Sequence, residues 1–255
     1  MKKLLSEITD WLNKVPEITI FFWIIKILCT TVWETFADWL NFNIGIWLTG
    51  TTAIMTVLLL IALFFQFKTA KYKPSIYRLV VVLISVVWTL IIDNLTDNLG
   101  IPLVITTIVF SIILLTTFVI WYRQEGTLSI HSITMPRREL FYWWAILCTF
   151  ALGTAAGDLV AEWLGLWYLF SAIIFVWMIM LIYLWYRYLN RSVVTTFWIA
   201  YIMTRPLGAS IGDLLSQSSS NGWRWLGTTG TSILFLVTIV WLIRYLSKQQ
   251  HNALL

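Results

Sequence analysis

Charge is what this chain has least of. Of its 255 residues 17 are basic and 12 acidic, 11% together, against 60% hydrophobic residues. A soluble domain carries about 25% charged residues, so water is not the main solvent for this surface. Cysteine is limited to Cys29 and Cys148, and histidine to His131 and His251. Both cysteines sit in apolar runs without a metal-type neighbour, which reads them as buried free thiols and excludes a disulfide framework. The histidines fall in a loop and the tail, so neither a histidine-based metal centre nor haem ligation is expected. A phosphate-binding glycine loop, HExxH and GxSxG are all missing. The chain does not read as an enzyme, and no cofactor is expected. No cleavable leader is expected either: the first apolar run follows an amphipathic stretch, Met1 to Glu17, and no small-residue cleavage site comes after it.

Present instead are long apolar runs, about 18–37, 47–66, 78–97, 102–122, 139–162, 167–186, 193–214 and 228–246. Each is near the ~20 residues that cross ~30 Å of hydrocarbon, and helices are required because lipid satisfies no backbone polar group. The expected fold is an all-α integral membrane protein of eight transmembrane helices, one membrane domain over 1–255. Fourteen of the 17 basic residues fall in the two tails and in alternate loops, Arg224 alone lies on the other side, and Lys26 and Arg205 lie within spans. The positive-inside rule then puts both termini in the cytoplasm of a cell with this protein in its inner membrane. The net charge of +5 reflects that topology, and no nucleic-acid partner is expected. Membrane lipids are the expected surroundings, and a homo-oligomer is left open.

The chain repeats itself four times. Segments 30–40, 85–95, 150–160 and 205–215 read TTVWETFADWL, SVVWTLIIDNL, FALGTAAGDLV and RPLGASIGDLL, and their aspartates Asp38, Asp93, Asp158 and Asp213 align without a gap at separations of 55, 65 and 55 residues. Each copy is a two-span hairpin, at approximately 16–67, 74–123, 138–188 and 192–246. Parallel repeats suggest an arrangement about an axis along the membrane normal, which would bring the four first helices together. Five residues before the aspartates stand Trp33, Trp88, Gly153 and Gly208. Gly153–Gly157 and Gly208–Gly212 are small-xxx-small pairs suited to close helix packing.

These segments, together with DNLTDNLG, EGTLSIHSI and FWIAYIMTRPLGASIGDLLSQ, resemble a bacterial family of membrane proteins built from four copies of a "repeat of unknown function". The resemblance covers nearly the whole chain and implies the hairpin unit and its repetition; it implies no activity. The chain departs from the family's glycines at Trp33, Trp47, Trp88, Trp167, Trp177, Trp223 and Trp225. An indole in a small-xxx-small crossing pushes the backbones apart. Two explanations stay open: UGA codons read as glycine in the source organism, or genuine tryptophans at lipid-facing and interfacial positions.

Seven acids lie toward the outer ends of the first helices: Glu34, Asp38, Asp93, Asp97, Asp158, Glu162 and Asp213. Three sets are i,i+4 pairs, so an α-helix puts each pair on one face. Ionisable groups at membrane depth are functional candidates by default. With nearby hydroxyls (Thr35, Thr89, Thr154, Ser210) they form a hard-oxygen donor set that suits protons, Mn²⁺, Mg²⁺ or Ca²⁺ over softer metals. The structural alternative is a set of helix-end aspartates that face water or serve hairpin geometry. Lys26 and Arg205, each eight residues before an acid of its own helix (Glu34 and Asp213), read as counter-charges or as one half of packing ion pairs. The expectation is transport of a small cation, such as manganese, with proton coupling open; the alternative is a non-transport scaffold or a binder of a lipid-like molecule.

Overall fold

The computed structural model describes residues 19–43, 48–69, 73–130, 133, 135–163, 168–189, 192–216, 229–239 and 241; the side chains of 33–43, 74, 162, 163 and 189 lie outside that description. Among the described residues the chain forms helices α1 (Ile20–Asn43), α2 (Leu48–Lys68), α3 (Pro74–Asp93), α4 (Leu103–Glu125), α5 (Pro136–Trp163), α6 (Tyr168–Leu189) and α7 (Val193–Ser216), and a shorter α8 (Thr229–Ile239). No strand occurs among them. Local sequence explains the boundaries. Pro74 and Pro136 start α3 and α5 and Pro102 precedes α4, positions where a missing N–H costs nothing. Gly126, at φ 70°, ends α4 in the left-handed conformation that glycine adopts without penalty.

Among the described residues five helical segments are long and apolar enough to cross a membrane: Leu48–Lys68, Ser75–Asn98, Leu103–Glu125, Pro136–Ala161 and Tyr168–Tyr188. They divide into two kinds. In the Ser75–Asn98 and Pro136–Ala161 spans 56% of the apolar stretch is buried, against 17% in the other three. The reason is topology. The first helices of the four copies form a ring in which α1 packs on α3, α3 on α5, α5 on α7 and α7 back on α1. The second helices lie outside it, each on the first helix of the following copy: α2 on α3, α4 on α5, α6 on α7. Their outer faces expose Val57, Leu60 and Phe64, Ile105 and Leu115, and Trp177. Such apolar surface suits lipid and would be an aggregation hazard in water.

Glycine sets the closest crossings of the ring. A Cβ on Gly153 would fall 2.7 Å from Cβ of Arg205, one on Gly157 3.1 Å from Cβ of Pro206, and one on Gly208 1.9 Å from Oγ1 of Thr30. Gly153 and Gly157 thus lie in the contact of α5 with α7, and Gly208 in that of α7 with α1; Gly212 is buried on α7. Pro206 lies inside α7. It has no N–H for the carbonyl one turn back, and its ring fills the groove that Gly153 and Gly157 leave.

Candidate functional site

The ring buries polar side chains among its apolar core. Buried there are Lys26, Thr30 and Thr31 of α1, Ser85 and Thr89 of α3, Thr149 and Thr154 of α5, and Tyr201, Thr204, Arg205 and Ser210 of α7. Most hydroxyls are satisfied within their own helix: Thr89 donates to the carbonyl of Ser85, Thr154 to that of Phe150 and Thr30 to that of Ile27. A Thr hydroxyl bonded this way still has acceptor capacity left.

Two cations use that capacity. Lys26 Nζ donates to the backbone carbonyl of Tyr201 at 3.0 Å and to Oγ1 of Thr204 at 2.5 Å. It also lies 3.7 Å from the centroid of the Tyr201 ring and 5.3 Å from that of Phe150, an arrangement worth about 2 kcal/mol when desolvated. The ammonium is thus held by a carbonyl, a hydroxyl and aromatic faces, and no carboxylate meets it among the described residues. Phe22, Trp23, Phe197 and Trp198 extend this aromatic wall along α1 and α7. Arg205, eight residues before Asp213, donates from Nη2 to Oγ1 of Thr89 at 2.5 Å and so joins α7 to α3. Lys26 and Arg205 are both buried in the ring, and the hydrogen bonds given above for them go to neutral oxygens.

The acids divide. Asp93, Asp158 and Asp213 are half-buried and Asp97 is exposed. The side chains of Glu34, Asp38 and Glu162 lie outside the described residues. Among the described residues no three of His, Cys, Asp and Glu come together as a metal-holding group. A π turn, Asn94–Asn98, follows Asp93, and Leu99 N donates to the carbonyl of Asn94. Asn94 lies in this turn: its Nδ2 donates to Oγ1 of Thr52 and to the carbonyl of Leu90, and its Oδ1 accepts from Thr49 and Asn98. It ties the end of α3 to the start of α2. Cys29 and Cys148 are free thiols, as expected.

Sequence reasoning missed a second buried polar group at the opposite end of α5. Glu139 and Gln66 are both enclosed, with Gln66 Nε2 3.2 Å from Glu139 Oε1. One turn on, the hydroxyls of Tyr142 and Tyr77 meet at 2.5 Å. Glu139 opens the expected apolar run 139–162, where it has no assigned role. The available signal was Gln66, an uncharged polar residue standing alone in the last apolar turn of α2.

No curated protein and no solved structure is detectably similar to the chain. A family model does match it four times, over residues 21–72, 76–127, 141–192 and 196–251. The four matches begin 55, 65 and 55 residues apart, the spacing of the four aspartates. The chain belongs to the family described as Repeat of Unknown Function (DUF347).

Proposed function

We propose that this is an inner-membrane transporter or permease for a small cation, with eight spans and both termini in the cytoplasm. The observation that carries the reading is the ring itself. Its interior buries two fixed charges and a set of hydroxyls, while the outer helices show lipid an apolar face. Charge at membrane depth costs about 3 kcal/mol per group by insertion scales, a cost that helix packing alone does not require. Asp93, Asp158 and Asp213 would attract a hard cation to the outer end of the ring, and Lys26 and Arg205 would stand deeper as its counter-charges.

A second reading has its own support. The contacts of Gly153 and Gly208 leave no room at the seams of α7 with α5 and α1, which suits a closed scaffold as well as the closed state of a transporter. Cation and proton flux in proteoliposomes separates the two. The transport reading expects flux from the wild type and a loss of about tenfold or more, the effect of ~1.4 kcal/mol at one step, in Asp158→Asn and Asp213→Asn. Wild-type protein that passes no Mn²⁺, Mg²⁺, Ca²⁺ or protons above empty liposomes supports the scaffold. Orientation is checked by reporter fusions: both ends should be active with a cytoplasmic reporter and silent with a periplasmic one.

A further inference from the structure

The ring is one contact used repeatedly. Gly153 lies on Arg205 and Gly208 lies on Thr30. Each glycine stands five residues before its own aspartate, and each partner eight residues before the aspartate of the next copy. Carried round the ring, the same register sets position 33 opposite Ser85 and position 88 opposite Phe150. At both places the chain has tryptophan. α3 packs on α1 and α5 much less extensively than α7 packs on the same two helices. Trp88 is half-buried with its ring edge-on to Phe110 of α4, 5.2 Å between centroids, and its enclosed Nε1 has no hydrogen-bond partner among the described residues. A buried donor left in that state costs about 1–3 kcal/mol.

The outer turns carry an independent sign of the same thing. Gly100 has φ +64°, a conformation that side chains rarely adopt. It stands seven residues after Asp93, as Gly45 and Gly165 stand seven after Asp38 and Asp158. In the fourth copy the sequence after the aspartate is five residues longer before the match resumes, and 225–232, WLGTTGTS, aligns with 45–52, GIWLTGTT. Trp225 then takes the place of the turn glycine, while Gly227 takes the place of Trp47. Tryptophan and glycine thus replace each other in both directions at matched positions. The totals agree: 17 Trp and 12 Gly, where average usage of ~7% glycine would give roughly 18.

We propose that positions 33, 88 and 225 are glycine in the native protein, encoded by UGA in an organism whose ribosomes read that codon as glycine. One codon with two readings accounts for the exchange at the crossings and in the outer turn together. With glycine at 33 and 88 all four crossings become equivalent, and the polar interior is sealed from lipid on every side, whatever the ring does in transport.

Peptide mass spectrometry of the protein isolated from its source organism tests this directly. Peptides that span 33, 88 and 225 should carry glycine masses; a tryptophan mass at position 88 overturns the proposal. Recombinant protein gives a second test without the native host. Purified in detergent, the double variant W33G/W88G should melt several degrees above the tryptophan form, at the ~2–4 °C per kcal/mol of chains near this size. An unchanged or lower midpoint counts against it.

Discussion

Lys26 shows how a buried charge is kept. Its partners are the Tyr201 carbonyl, the Thr204 hydroxyl and two rings, and its neighbour in the same interior is another cation, Arg205. Removing the charge therefore differs from removing its partner. Lys26→Met keeps most of the volume and deletes a desolvated ion, so stability should change by less than about 1.5 kcal/mol. Thr204→Val keeps the charge and deletes an acceptor, and should destabilise by about 1–3 kcal/mol. Chemical denaturation of the two variants in mixed micelles checks the order; equal losses would mean that Thr204 is not what holds the ammonium. Gly208 is the opposite extreme, where a single methyl is too much. Gly208→Ala puts a Cβ against Thr30 and should cost about 1–3 kcal/mol, whereas Gly100→Ala meets no atom and should lose only the ~1 kcal/mol of its left-handed backbone.

At the scale of elements, the junction of α3 and α2 is the best defined of the outer turns. A π turn ends α3, and Asn94 joins it to Thr49 and Thr52 by side-chain hydrogen bonds. Asn94→Ala would remove both links and leave the Thr52 hydroxyl with only its bond to the Leu48 carbonyl. The expected outcome is a loss of about 1–2 kcal/mol with faster amide exchange over 94–100 and unchanged exchange in the middle of α3. Loss of protection along the whole of α3 would show instead that Asn94 holds the ring itself. At the other end of α4, Glu125 meets Arg138 at 2.7 Å and Arg137 at 3.7 Å. Arg137 is largely exposed, so its pair should contribute little.

For the whole molecule, four copies of one hairpin give a ring of first helices and a belt of second helices, of which α2, α4 and α6 each rest on the next copy. Each copy thus needs its neighbour, as in other repeat architectures where no unit buries its apolar face alone. A chain truncated after residue 191 retains three copies but loses α7, and with it the contacts to α1, α5 and α6 and the partners of Lys26. Such a chain should be degraded in the membrane or aggregate on extraction, which expression with a C-terminal tag would reveal. Accumulation of a stable, monodisperse three-copy protein would overturn the interdependence.

Local pattern was enough for the membrane class, the fourfold repeat and the helices, because hydropathy, proline placement and spacing act within about 20 residues. The expected spans and the observed helices differ by only a few residues at most ends, and the first helix alone runs clearly longer, to Asn43. Local pattern also singled out Lys26, Arg205 and the packing glycines, since charge in an apolar run and small residues four apart are visible without a partner. What those residues touch was decided in three dimensions. Lys26 finds its acceptors 175 and 178 positions away, Arg205 reaches Thr89 across the ring, and Glu139 is buried by Gln66 from another copy. Asp93 is half-buried, and Asp97, in the π turn that follows it, is exposed. Spacing carries the period of a helix, but burial and partnership depend on which helices become neighbours, and that follows from packing all four copies at once.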